Sequence, residues 1–311
     1  MHPLVSVVIP NYNYAHFIPQ RIGTVLGQTY RDIELIILDD ASTDNSREAI
    51  EKYRGEDRVK HIVFNTSNSG STFKQWEKGF QLAQGEYIWI AECDDYSDPS
   101  FLEQLMKVLE KDPDIKIAFS NSYWVTPEST FINKDYTIAS PVKVYQGKDF
   151  VRKHLLKENY IYNASMAVFR KDALASVDKS FKDYRSCGDK VFWGSIAEKG
   201  KVAFVCKPLN YFRIHSGKVT TRSISSGLLF REEHRLFQLR QRQGYITWQN
   251  RYDVASYFLQ YVKRMKDSFD NSQIYADCLR LWANELTPHN PALPLSHRVL
   301  CAIMNLLKKK P

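Results

Sequence analysis

The chain of 311 residues predicts an α/β fold, a mostly parallel sheet flanked by helices, followed by a C-terminal helical extension. Three observations lead there. Strand and helix patterns alternate from the first residues onward, as βαβ units require. The strand segments are apolar on both faces, which fits a sheet covered on each side. Polar clusters stand at the carboxyl ends of those segments, where open α/β sheets place their ligands.

The elements follow in order. "LVSVVIP" (4–10) is a β-branched run, and a helix is expected over 17–28. "IELIILDD" (33–40) is a second apolar run ending in two acids. "STDNSREAIEKY" (42–53) opens with Ser and Asp in N-cap positions and predicts a helix. A third strand is expected over 59–65, a third helix over 71–85 and a fourth strand over 86–92. "FLEQLMKVLEKDP" (101–113) is an amphipathic helix stopped by Pro113, and 115–125 holds one or two strands. Residues 126–147 are turn-rich and are expected to form a flexible excursion. A strand returns at 165–171, a helix capped by Gly200 at 187–200, and one or two strands at 202–215. Helical patterns dominate from Leu228, with a last helix after "TPHNPALP".

Composition bounds the function classes. Hydrophobic residues make 43% and charged residues 25%, ordinary for a globular protein. The aromatic share of 13% is high, and aromatic rings often line ligand clefts. Five scattered cysteines without zinc spacing fit free thiols in a reducing compartment. No signal peptide or spanning helix is expected, which predicts a cytoplasmic protein. The net charge of +8 fits an anionic ligand or an anionic lipid surface. No nucleic-acid-binding signature accompanies it, so no nucleic-acid partner is expected. The motifs GxSxG, HExxH, GxGxxG and the P-loop are all absent.

"IWIAECDDYSDP" (88–99) is the segment that bears most on chemistry. An apolar run empties into Glu92, Asp94 and Asp95, which repel one another unless a positive group lies between them. Hard divalent cations bind through one or two carboxylates plus ligand phosphates, and a strand-end acidic loop supplies the carboxylates. A solvated acidic turn is the plain alternative.

The order "VSVVIPNYN…QTYRDIELIILDDASTDNS…N.SG…GF.LA.GEYIWIAECDD" closely resembles the family 2 glycosyltransferases, GT-A-fold enzymes that use nucleotide-diphospho-sugars. The resemblance is strong over 5–95 and returns at "YRSCGDKVFW" and "YFRIHSGKVT". It implies a catalytic domain over 1–225, with a nucleotide-sugar half (1–98) and an acceptor half (99–225). Residues 226–311 then form a helical region, and its basic tail "SHRVLCAIMNLLKKKP" would either contact a membrane or pack as an ordinary helix.

Position by position, the resemblance places Pro10, Tyr12, Asn13, Asp39 and Asp40 beside the nucleotide base, with Tyr12 as a stacking face. It implies Asp94 on the ribose and diphosphate side, Asp95 as ligand of Mn²⁺ or Mg²⁺, and His215 as a second ligand or phosphate contact. Asp189 matches the general base that takes a proton from the acceptor hydroxyl. Arg213, Lys218 and Arg222 are expected to offset the leaving diphosphate, and Trp193 to line the sugar or the core. Three departures stand out. Glu92 replaces the usual Asp, Gly188–Asp189 replaces an acidic pair, and Trp76–Glu77 replaces an Arg-Asn, so that the contribution of the usual Arg has to come from elsewhere, with Lys74 as a candidate. The implied activity is an inverting, metal-dependent sugar transfer from a nucleotide-diphospho-sugar, UDP-linked by expectation. The implied acceptor is a glycan or lipid-linked glycan in cell-surface polysaccharide synthesis. The alternative is a vestigial relative acting as a membrane-surface or scaffolding module.

Overall fold

The computed structural model describes residues 3–133, 141–215 and 219–287. It has two compact units, Met1–Val151 with Tyr160–His215, and Arg152–Asn159 with Ser216–Pro311.

The first unit is built on a mixed sheet. Its strands are β1 (Val5–Asn11), β2 (Ile33–Asp39), β3 (Val59–Phe64), β4 (Tyr87–Ile90), β5 (Tyr96–Ser97), β6 (Ile115–Val125), β7 (Phe131–Asn133), β8 (Val142–Gln146), β9 (Ala167–Arg170) and β10 (Lys201–Arg213). Their order is β3-β2-β1-β4-β9-β6-β10-β5, with β7 beside β6 and β8 beside β10. The four strands β3, β2, β1 and β4 are parallel, and β9 then runs antiparallel to both β4 and β6. Because β6 and β10 are mutually parallel, β1, β2, β4, β6 and β10 all end at one edge of the sheet.

All seven residues of β1 and of β2 are buried, which is why those runs lack polar alternation. Helices α1 (Ile18–Leu26) and α4 (Phe101–Lys111) pack apolar stripes onto the sheet through Ile18, Ile22, Val25, Phe101, Leu105 and Leu109. Other helices are α2 (Ser46–Glu51), α3 (Thr72–Leu82), α5 (Gly147–Phe150) and α6 (Gly188–Ala197). At Gly79 of α3 an added Cβ would lie 2.3 Å from Val8 Cγ1, so this helix sits directly on β1.

The second unit is helical: α7 (Val219–Ser225), α8 (Leu228–Arg242), α9 (Arg251–Arg264) and α10 (Ser272–Asn284). Trp282, fully buried, stacks on Phe258 at 4.5 Å. Gly227 opens α8 at φ 69°, where a side chain would also meet Ile274 and Cys278. Glu285 accepts from His234 at 2.8 Å and pairs with Arg251.

Several expectations change. Helix α2 begins at Ser46, because Asp44 caps Ser46 N at 3.0 Å while Ser42 is drawn into the strand ends. The excursion expected over 126–147 contains β7 and β8, both carried by longer partner strands. Gly200 is not the cap of α6, which ends at Ala197. A side chain at Gly200 would meet Asp114 O at 2.1 Å, so close backbone approach explains the glycine. The last expected helix lies outside the described residues.

Candidate active site

The sheet edge where β1, β2, β4, β6 and β10 end gathers most of the expected site residues. Two acids close the first part of it. Asp39 accepts from Asn11 Nδ2 at 2.7 Å and from Ser42 Oγ at 2.6 Å, tying β1 to β2. Asp40 accepts from Asn65 Nδ2, Ser69 N, Ser69 Oγ and Gln75 Nε2, at 2.6 to 2.9 Å for the shortest bond from each. Both carboxylates are buried and organise the loops around them. Contact between Asp40 and a nucleotide base would require one of these bonds to be given up. Asn13, at φ 60°, accepts from Thr43 N at 2.7 Å and so fixes the turn after β1. Pro10 is buried within β1, whereas the Tyr12 ring beside it is 46% exposed. Lys74 Nζ reaches the carbonyl of Ser69 at 3.1 Å.

The acidic loop after β4 separates its carboxylates sharply. Asp95 is buried and its carboxylate accepts from Asn163 Nδ2 at 2.7 Å, Ser165 Oγ at 2.8 Å and Arg213 N at 3.1 Å. Its expected place as the metal ligand is therefore corrected: the side chain points inward and fastens the loop to the strands behind it. Asp94 is the outward residue. Its Oδ2 lies 3.0 Å from His215 Nε2, and the two side chains are 16% and 12% exposed. Two adjacent ligands of an octahedral ion at about 2.1 Å stand about 3 Å apart, the spacing of this pair, and an ion held by both atoms would replace the proton they share. The carboxylate oxygen suits Mg²⁺ or Mn²⁺, whereas imidazole is the more usual ligand of Zn²⁺, Cu²⁺ or iron. Among the described residues no three or more His, Cys, Asp or Glu side chains gather to hold an ion by themselves. A cation here would need further ligands, as diphosphate oxygens provide.

Glu92 accepts from Trp76 Nε1 at 2.8 Å, so two of the unusual residues noted in the sequence are partners. Burial and then the Asp94 charge push the Glu92 carboxyl up to about 8, against the pull of the indole N–H. Tyr14 lies edge-on to the His215 ring, and burial, followed by Asp94 and Glu92, raises its phenol pKa.

Arg213 was expected to face the diphosphate and does not. It is 1% exposed and donates to Asp94 O at 2.7 Å, Gln20 Oε1 at 2.6 Å, Ser129 Oγ at 3.2 Å and the carbonyls of Thr126 and Pro127. Its guanidinium is spent on holding loops. Trp193 is likewise core: fully buried, with its ring against Trp76, Phe169 and Phe192. Trp76 is buried too, so neither ring offers a wall to a sugar. Arg222 is exposed on α7 of the second unit, and Lys218 lies outside the described residues.

Asp189 occupies the first turn of α6 and is partly exposed, with its Oδ1 accepting from Lys190 N at 2.8 Å. Contacts link that turn to the acidic loop. A Cβ on Gly188 would touch Phe73, Phe73 meets Trp76 edge-on at 5.0 Å, and Trp76 bonds Glu92.

Sequence reading missed the residues that hold the loop. Asn163 and Ser165 give no signal, being single polar residues far along the chain. Arg21 does give one, since it falls on the apolar stripe of α1 with Ile18, Ile22 and Val25. Fully buried, it donates to Glu92 O at 2.8 Å and Ser165 Oγ at 3.1 Å, and a third nitrogen, Nη1, has no hydrogen-bond partner among the described residues.

Comparison with known proteins agrees with this architecture. The chain is 38% identical over 125 residues to glycosyltransferase GlyG of Streptococcus pneumoniae, covering 40% of this chain and 41% of that protein. It is 27% identical over 223 residues to an uncharacterized glycosyltransferase of Haemophilus influenzae, covering 70% and 68%. The chain thus spans well under half of GlyG's length and about two thirds of the Haemophilus protein's. The fold is shared with S. aureus TarS residues 1–349 in complex with UDP-GlcNAc, at TM-score 0.67 and 16% identity, covering 97% and 89% of the two chains. It is also shared with the mannosyltransferase PcManGT from Pyrobaculum calidifontis in complex with GDP-Man and Mn²⁺, at TM-score 0.50 and 16% identity, covering 99% and 81%. These are GT-A glycosyltransferase structures, and the α/β sheet with its C-terminal helices matches them. The sequence profile of glycosyl transferase family 2 matches residues 6–177, more than half of the chain, and the protein belongs to that family.

Proposed function

We propose that the protein is an inverting glycosyltransferase acting on a nucleotide-diphospho-sugar, UDP-linked by preference, with a glycan or lipid-linked glycan as acceptor. The observation that carries this reading is the Asp94–His215 pair, 3.0 Å apart and partly open at the carboxyl edge of the sheet. In this reading the pair holds Mn²⁺ or Mg²⁺. When bound, the cation offsets charge on the diphosphate as the sugar–oxygen bond breaks. The exposed Tyr12 ring would stack on the nucleotide base, and Asp39 and Asp40 would hold the loops that shape its pocket. Asp189, presented by the first turn of α6, would take the proton from an acceptor hydroxyl on the opposite face of the sugar. One in-line displacement follows, driven by positioning and charge stabilisation.

The test is a screen of UDP- and GDP-sugars with Mn²⁺, scored by protection against thermal unfolding and by slow donor hydrolysis. Protection by a nucleotide-sugar that depends on Mn²⁺ is expected. Asp189→Asn should keep that protection while turnover drops about 10²-fold or more. A variant that transfers sugar at the parent rate overturns the role of Asp189, and no protection by any donor overturns the activity.

A further inference from the structure

We propose that Trp124, with Tyr162 and Phe212, forms a platform that stacks a sugar ring of a neutral oligosaccharide acceptor. The inference rests on the glycosyltransferase reading above and adds to it the place and chemical class of the acceptor.

Trp124 is near the end of β6 and Phe212 near the end of β10, paired in register on the sheet edge that carries the acidic loop. The indole is 40% exposed, and among the described residues Tyr12, Phe131 and Trp248 are the other large rings that lie open. Tyr162 and Phe212 meet it nearly perpendicularly, both at 6.1 Å between centroids, and meet each other at 5.6 Å. Edge contacts of this kind hold a ring in place, and the exposure of the indole leaves part of it open to solvent. Trp124 Nε1 donates to Tyr162 Oη at 3.3 Å, which puts polar groups on the rim of an apolar surface. A pyranose has the complementary form, with a C–H face and a belt of hydroxyls.

The platform is joined to the reaction centre through the chain itself. Tyr162 precedes Asn163 and Phe212 precedes Arg213, and both of those residues bond the Asp95 carboxylate. A ring seated on Trp124 is therefore registered against the loop that presents Asp94. One charge in the turn after β6 speaks against an anionic occupant. The exposed residue four positions on is Glu128, an acid, which repels an anionic bilayer surface or a polyanionic glycan.

The test labels the protein with 5-fluorotryptophan and follows the Trp124 resonance by fluorine NMR, assigned with Trp124→Phe. Cellohexaose, chitohexaose and maltohexaose are titrated in turn, beside a hyaluronan hexasaccharide and vesicles rich in phosphatidylglycerol. At least one neutral oligosaccharide should shift the Trp124 signal in a saturable way. Trp124→Ala should weaken that binding about tenfold, with Trp124→Phe intermediate. Mn²⁺-dependent protection by the nucleotide-sugar should be unchanged in both variants, which also shows that they fold. The platform is overturned if no neutral oligosaccharide moves the signal, if only hyaluronan or vesicles do, or if Trp124→Ala binds as well as the parent. Donor protection without an oligosaccharide shift sinks the platform alone. Oligosaccharide binding without any donor protection sinks the transferase reading instead.

Discussion

Neighbouring carboxylates in one acidic loop should fail in opposite ways when removed. Asp95→Ala takes away an acceptor of three hydrogen bonds, from Asn163, Ser165 and the backbone of Arg213, in a site 1% exposed. Hydrogen bonds to a charged group contribute about 1.5–3 kcal/mol each, although such losses do not simply add. Arg21 and Arg213, whose charges are felt at Asp95, also stay buried, and leaving buried charge uncompensated costs about 3–5 kcal/mol. The expected loss is therefore about 3–5 kcal/mol of unfolding free energy. Asp94→Ala removes a single contact to His215 at a partly open position, where about 1 kcal/mol or less is expected. Urea unfolding measures both, and Mn²⁺ titration with UDP, followed by thermal protection, measures cation uptake. Asp94→Ala should stay stable and lose the Mn²⁺ response, while Asp95→Ala at low temperature should keep some of it. A stable Asp95→Ala variant that has lost Mn²⁺, beside an Asp94→Ala variant that still responds, would refute the division of labour.

Two packing variants and one titration extend the test. Gly79→Ala should destabilise by about 1–3 kcal/mol in urea, since the new methyl would fall 2.3 Å from Val8 Cγ1. Shortening the neighbour in a Gly79→Ala/Val8→Ala double variant should cost less than the two changes summed. Gly147→Ala should cost about 3 kcal/mol or more, because the methyl would meet the Ala197 carbonyl oxygen at 1.6 Å and the Gly200 carbonyl oxygen at 2.5 Å, both backbone atoms. In the helical unit, burial raises the Glu285 pKa, but His234 and Arg251 outweigh it and hold it below the ordinary value. A depressed carboxyl gives stability that is present above its unfolded pKa of about 4.3 and is lost as pH falls through the folded value. Acidification below about pH 4.5 should therefore weaken this unit, and Glu285→Gln should flatten that dependence in thermal unfolding followed by circular dichroism.

Much of the sheet was legible because β1, β2 and β4 are buried on both faces and carry no competing pattern. β7 and β8 were not, since their pairing is set by β6 and β10 rather than by their own residues, three of which in β8 are exposed. The gathering of acids at one sheet edge followed from strand polarity. Which acid turns inward did not follow, because Asp94 and Asp95 are adjacent and chemically alike. That choice depends on Asn163, Ser165 and Arg213, which only the fold brings near. The unusual Trp76 and Glu92 read as two separate departures in the sequence and prove to be one contact.

The Asp95 anchorage also bears on how the chain matures. The three donors named above lie 68, 70 and 118 residues away along the polypeptide, so the loop's anchorage depends on distant segments. Contacts of such separation form only after their loops have closed. A nascent chain released before β10 would carry Asn163 and Ser165 but lack Arg213, so its acidic loop would miss one of these three anchors. The proposed cation site, which also needs His215 just beyond β10, would thereby be completed only once the last strand of the sheet is in place.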